Sequence, residues 1–287
     1  DAKGIREDLA NVIYNISPEE TPFQSNTARV NVKNTFFEWQ TDSLAAASTT
    51  NAALEGDDIS SFDSVTATSR LGNYTQISRK TVVISGTLES VDKAGRRSEL
   101  AYQMAKNGAE LKRDMEATLL ASKAANAGNN STARQTAGLP AFLRTNTNKG
   151  AGGSDPTVSN GVVNATRVDG TQRTFTETIL KDVISQVWTE GGTPKILMVG
   201  PFNKQAVSGF AGIAEIRYNQ ATPKPTVIIG AADVYVSDFG AVSVVPNRFQ
   251  RERDAFVLDP EYAATAILRP IQTMDLAKTG DAEKRMM

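Results

Sequence analysis

GIREDLANVIYNISPEETPFQS, Gly4 to Ser25, is the stretch from which the rest of the chain can be read. Its first half puts Ile5, Leu9, Val12, Ile13 and Ile16 on one face at helical spacing. Ser17-Pro18 then stops the helix, and Thr21-Pro22-Phe23 continues as an extended arm stiffened by proline. A helix of about three turns is marginal by itself. It needs a surface to lie against, in this chain or in another copy.

The other residues must form a body that could offer such a surface. With 287 residues the chain is long enough for one large or two ordinary domains, and 40% apolar with 22% charged residues is globular composition. Lys+Arg 31 against Asp+Glu 32 gives a net charge of -1, which removes the electrostatic case for a dedicated nucleic-acid binder. Cysteine is absent, so disulfides, thiolate metal sites and cysteine nucleophiles are excluded. Histidine is absent too, and with it the commonest general base and a frequent metal ligand. No stretch approaches the roughly 20 apolar residues that span a bilayer, and no basic-then-apolar leader precedes the helix, so a soluble protein made in the cytoplasm is expected. The sequons at Asn73 and Asn129 are read as chance.

Beyond the arm, Arg29–Gln40 alternates as a strand, and Thr66–Ser85 alternates again as a long one. Between them lie about two dozen small, polar residues without a dominant period. The pattern predicts an extended hairpin projecting from the body, with a functional or mobile tip. Asp92 to about Gly128 is the strongest helical segment, with Leu100, Met104, Leu111, Met115 and Leu119 as a stripe and Ala101, Ala105, Gly108 and Ala109 beside it. Roughly 35 residues would make a rod of about 50 Å. Asn129–Thr174 turns to Asn, Thr, Gly and Ala, a surface insertion or two-stranded excursion.

Order returns with a helix over Thr176–Trp188, opened by the capping-box spacing Thr174-x-x-Glu177. A buried strand at Lys195–Val199, a short helix over Phe202–Phe210 and a strand at Val227–Ile229 follow, then a hairpin turning at Asp238-Phe239-Gly240 and two final strands. The order is that of an α+β protein.

Little in this sequence carries chemistry. Glu19-Glu20 and Glu55-Gly56-Asp57-Asp58 read as a solvated cap and a solvated loop tip. A metal-dependent hydrolase using Glu55, Asp57 and Asp58 is the alternative of another class. Gly150-Ala151-Gly152-Gly153 neither follows a strand nor opens a helix, so it is a turn and not a phosphate cradle. Arg96, Arg97, Lys106, Lys112 and Arg113 interleave with Glu99, Glu110, Asp114 and Glu116 along the long helix. That mixture reads as a solvated, salt-bridged face, or as a face meeting polyanion or a neighbouring subunit. No enzyme activity, metal or cofactor is expected.

The opening motif, Gly4-x-Arg6-Glu7-Asp8-Leu9 followed by an apolar helix and Pro18-x-x-Thr21-Pro22-Phe23, resembles the N-terminal signature of tailed-bacteriophage major capsid proteins. The element order resembles the Hong Kong 97-type capsid fold. That resemblance implies an N-terminal arm at 1–31, an extended loop at 32–85 and a peripheral domain with spine helix and insertion at 86–173. It further implies an axial domain at 174–247 and return strands of the peripheral domain at 248–287. The implied function is a structural subunit that self-assembles into the pentamers and hexamers of an icosahedral head enclosing double-stranded DNA. The shell of an encapsulin-type nanocompartment is the alternative with the same fold. The implied location is the virion capsid, with assembly in the host cytoplasm.

The partners implied are other copies of the chain, with scaffolding, portal and decoration or cement proteins; no membrane is involved. Intersubunit contacts are expected from Ile5, Leu9, Ile13, Ile16, Pro22 and Phe23 of the arm, with Phe23 in a neighbour's pocket. Leu44, Leu54, Ile59 and Phe62 of the loop are expected to order against neighbours. Packaged DNA is expected to be touched only weakly and without sequence preference, at Arg96, Arg97 and Lys112 if the spine helix faces inward. Some proteins of this kind cross-link through Lys and Asn side chains; no motif here identifies such a pair.

Overall fold

The segment Ile196–Val199, strand β7, is buried at all four positions. In the computed structural model, which describes residues 20–56, 58, 62, 64–93, 95–210 and 233–287, it is the centre of the body. It pairs in parallel with β9 (Gly240–Pro246) and antiparallel with β10 (Ala255–Leu258), and β8 (Val234–Ser237) closes the far side of β9. A strand with a parallel neighbour and both faces covered reads as an unbroken apolar run. Leu197 and Val199 point to one side, where they pack with Leu180 and Ile184 of α4 (Glu177–Thr189) and Val207 of α5 (Pro201–Ser208). Ile196 and Met198 point to the other, where they meet Phe23, Leu120, Phe256 and Leu258. The strand β10, expected among the returning strands beyond residue 247, is therefore an edge of this body sheet.

The spine helix, α3, spans Glu99–Leu120, 22 residues and so about 33 Å, shorter than the rod expected from Asp92 to Gly128. Its start is set by Ser98, whose hydroxyl accepts the Ala101 N–H at 3.2 Å, and by Gly95, whose φ of 73° breaks any helix from Asp92. The preceding Gly86–Ser90 forms its own short helix, α2, and from it Glu89 accepts the Glu99 and Leu100 N–H groups. Past Leu120 the Ala-rich segment abandons helix for pairing. Ala125 donates to the Val163 carbonyl, and Asn126 bridges Gln135. Tertiary contacts override helix propensity there.

The two long alternating segments are each split in two. Arg29–Gln40 becomes β1 (Ala28–Asn31) and β2 (Phe36–Thr41); Thr66–Ser85 becomes β3 (Ser69–Tyr74) and β4 (Thr81–Ser85). The strands β2 and β3 form the expected hairpin, in register from Phe36↔Tyr74 to Thr41↔Ser69. The insertion supplies β5 (Thr157–Ser159) and β6 (Val162–Ala165), and β6 lies parallel to β3 through Gly72↔Val162. The excursion thus extends the hairpin's own sheet, in the order β2–β3–β6–β5. Thr174 does not form the expected capping box. The helix starts at Glu177 after an uncapped Thr176, and Glu177 instead accepts from Tyr235 Oη and pairs with Lys181.

Beyond β10, β11 (Ala264–Ile267) runs parallel to β1. Two strands not anticipated in sequence follow, β12 (Met274–Asp275) and β13 (Ala282–Met286), and β13 pairs antiparallel with β4. The charged AEKRM of β13 carries little strand signal; its pairing depends on β4 being alongside. Thr21-Pro22-Phe23, expected to be extended, opens a short helix α1 over Pro22–Asn26. The opening helix with Ile5, Leu9, Ile13 and Ile16, residue Ile59, and the strand expected at Val227–Ile229 lie outside the described residues.

Candidate functional site

Helix α3 buries nearly opposite faces along its two halves. At 100° per residue, Leu100, Met104, Asn107 and Leu111 fall within about 60° of one another, while Glu116 and Leu120 fall on about the opposite side. The first group includes Leu100 and Met104, which pack with Val82 and Ile84 of β4 and with Met287; the second faces the body sheet. Two partners on two sides explain why the single stripe does not continue: Leu119 still packs at the margin of the body cluster, but Met115 joins neither cluster, and Glu116 and Leu120 take the buried positions.

Glu116 is the residue this rotation conceals. Read as part of a solvated charged face, it is fully buried (0% exposed). Its carboxylate accepts the Phe23 N–H at 2.6 Å, the Gln24 N–H at 3.1 Å, Gln24 Nε2 at 3.0 Å and Asn247 Nδ2 at 2.7 Å. The first-turn N–H groups of α1 have no partner within their own helix, and a carboxylate there satisfies them and complements the helix dipole. Arm, spine and body meet on this one side chain. Glu99, also read as solvated, is buried as well, held by Gln103 and by Arg96. Those contacts keep its carboxyl below the usual range.

Phe23 corrects the expectation of a neighbour's pocket. Its ring is 5% exposed and fills this subunit's own core against Leu120, Met198 and Phe256. Pro22 beside it is half-buried at the first turn of α1. The hairpin is the reverse case. Leu44, Leu54, Phe62 and Val65 are 99%, 80%, 88% and 98% exposed, and none of them joins a hydrophobic cluster among the described residues. Its base is firmly held: Asn73 accepts the Ala137 N–H and donates to Thr136 and the Ala137 carbonyl, and Arg134 donates to the Thr75 carbonyl at 2.6 Å. A rigid base carries an apolar tip into solvent.

The candidate DNA contacts separate. Arg96 is paired with Glu99 and stacks over the Tyr102 ring at 5.4 Å, so its charge is spent within the subunit. Arg97 and Lys112 are exposed and make no ion pair among the described residues. A second tie that the sequence did not reveal is Arg251, which grips Asp169 through two bonds of 3.0 and 3.1 Å and fastens the insertion to the body. The Arg251 guanidinium, with Arg253 nearby, holds the Asp169 carboxyl below its ordinary value. Burial, and then the bond to Glu177, push the Tyr235 phenol up.

Among the described residues no group of three or more His, Cys, Asp or Glu could hold a metal ion. Glu55 and Asp58 lie open to solvent, and Asp57 is outside the described residues. No described helix is long and apolar enough to cross a membrane.

Comparison with known proteins agrees with a molecule made of attachment surfaces. A family model described as SU10 major capsid protein matches residues 1–287. The major capsid protein of Escherichia phage Phieco32 is 28% identical over 319 residues, covering 100% of this chain and 90% of that protein. The cyanophage A-1(L) capsid asymmetric unit superposes with a TM-score of 0.56 at 12% identity, covering 91% of this chain and 77% of the other. The SrpI encapsulin of Synechococcus elongatus PCC 7942 has a TM-score of 0.51 at 10% identity, covering 99% and 85%. At those identities the two structures show a shared fold and nothing more.

Proposed function

The chain belongs to the SU10 major capsid protein family, and from that premise we propose how its surfaces build a shell. It is a structural subunit with the Hong Kong 97-type fold, the major capsid protein of a tailed-phage head, located in the virion capsid. The encapsulin likeness is one of fold, whereas the family match and the curated relative are both capsid proteins.

In our reading the subunit assembles into hexamers and pentamers through the hairpin between β2 and β3, whose tip orders on a neighbouring copy. One observation carries this: Leu44, Leu54, Phe62 and Val65 stand almost fully exposed on a hairpin with a fixed base. Each large apolar side chain buried at a contact contributes on the order of 1.5–3 kcal/mol, so four form a substantial docking element. The body sheet with α4 and α5 serves as the axial domain, here completed by β10. The spine helix with the β4–β13 sheet serves as the peripheral domain. Residues 1–31 form the arm, anchored in its own subunit at Phe23 and Gln24, with Ile5, Leu9, Ile13 and Ile16 reaching a neighbour. Scaffolding, portal and decoration or cement proteins are the further partners. Contact with packaged DNA is weak and non-specific, through Arg97 and Lys112.

Electron microscopy of the expressed chain, with its scaffold partner present, tests this reading: shells, rings or capsomers are expected. Amides of residues 42–56 should exchange fast in the free subunit and slowly in shells. A stable monomer at high concentration, or equal exchange in both states, would overturn it.

A further inference from the structure

Charge is distributed unevenly in a chain that is nearly neutral overall. Between Lys33 and Arg70 the sequence holds Glu38, Asp42, Glu55, Asp57, Asp58 and Asp63 and no cation. Asp42, Glu55 and Asp58 are all exposed, beside the exposed Leu44, Leu54 and Phe62. The hairpin tip is therefore acidic as well as apolar, and no cation of its own segment balances it.

The ribbon of β1 and β11 is its complement. Between Glu20 and Glu38 the only charges are Arg29 and Lys33, and between Glu261 and Asp275 the only charge is Arg269. All three are exposed and make no ion pair among the described residues. The pairing Arg29↔Thr265 and Asn31↔Ile267 puts these four residues on one face of the ribbon, and Lys33 and Arg269 follow two residues past its end on each strand. The ribbon is also incomplete as a structure. Parallel strands are ordinarily buried on both faces, and a lone two-stranded pair is marginal in water. Here β1 is exposed at all four positions and β11 is nowhere fully buried. Val30 and Ile271 add exposed apolar area, at 49% and 47%.

We propose that the cationic β1/β11 ribbon of one subunit receives the acidic, apolar hairpin tip of a second copy. The tip does not cover its own ribbon in this conformation: Leu44 is 99% exposed, and β1 is exposed at all four of its positions. This specifies the receiving surface for the hairpin contact proposed above and rests on that reading. Opposite charge selects the partner and its register, and like charge rejects misdocking.

Charge reversal tests it. The ribbon variant Arg29→Glu/Lys33→Glu/Arg269→Glu and the tip variant Asp42→Lys/Glu55→Lys/Asp58→Lys should each keep the circular dichroism of the wild type, since all six side chains are exposed. Each should lower shell yield in sedimentation by about tenfold or more, and the sixfold variant carrying both sets should recover it. The cysteine-free chain also permits a direct probe: Leu54→Cys with Asn31→Cys should give disulfide-linked multimers in oxidised shells. Normal shells from both reversals, or shells of the double-cysteine variant that stay monomeric on a denaturing gel, would overturn this contact and leave the capsid reading intact. Failure of the wild type to form shells would remove both.

Discussion

Replacing Glu116 by Ala removes the acceptor of four hydrogen bonds, from Phe23 N, Gln24 N, Gln24 Nε2 and Asn247 Nδ2. A bond to a charged acceptor contributes about 1.5–3 kcal/mol net, so a plain sum would reach roughly 6–12 kcal/mol. The true figure is smaller. Gln24 Nε2 keeps the Lys112 carbonyl at 3.0 Å, and water can enter the space left by the carboxylate. Leaving a buried neutral donor unpaired costs about 1–3 kcal/mol, so with the Phe23, Gln24 and Asn247 donors only partly rescued by water the expected loss is about 3–5 kcal/mol. It is a large part of the roughly 5–15 kcal/mol that holds a domain folded. Urea unfolding of the unassembled subunit measures it as a fall in the midpoint at unchanged slope, and thermal melting should drop by roughly 10 °C. Glu116→Gln keeps the volume but turns an NH2 group toward donors, so it should cost about 2–4 kcal/mol. Glu110→Ala is the control. Its pairs with Lys80 and Lys106 lie at the surface, about a third or more open to solvent, and its loss should stay within about 1 kcal/mol. Hydrogen exchange should localise the Glu116→Ala defect to the amides of Phe23 and Gln24. If Glu116→Ala costs less than about 1 kcal/mol, the carboxylate does not join arm, spine and body, and the reasoning fails.

Phe23→Ala should destabilise the unassembled subunit by about 3–5 kcal/mol in urea unfolding, because its ring fills this subunit's own core; normal monomer stability with failed assembly would restore the neighbour's pocket. Gly138→Ala places a Cβ 1.9 Å from the Ala121 carbonyl oxygen, where backbone cannot give way, and should cost roughly 1–3 kcal/mol or more in the same assay. Acid should loosen the insertion from the body. Asp169 has its pKa lowered from 3.8 by Arg251, so the stability it contributes is complete above the ordinary carboxylate range and is lost as pH falls below about 4 through the depressed value. Asp169→Asn should flatten that part of the pH–stability curve, and an unchanged acid limb would count against the tie.

Much of the layout was legible along the chain because each signal was local. The KILMV run around β7 could only be a strand buried on both faces, and the 3.6-residue periodicity of α4 placed Leu180 and Ile184 inward. The small polar residues of the hairpin tip could not build a core, and in the structure they do not. Gly4 to Phe23 pointed to the family in which the whole chain is now placed. Tertiary structure alone decided the rest. Nothing local to Glu116 distinguishes it from Glu110, since both sit among lysines and arginines on one helix. One is sealed because the helix passes from the β4 sheet to the body sheet and buries its opposite face there. Phe23 became core, and not a free anchor, because Glu116 offers the acceptor that the first turn of α1 lacks. The strand β13 exists because β4 lies beside it, and the Ala-rich end of the spine is not helical because Val163 and Gln135 claim its backbone. Burial, pairing and the balance of charge on a surface depend on what lies across a gap in space, and a linear pattern of residues carries no measure of that gap.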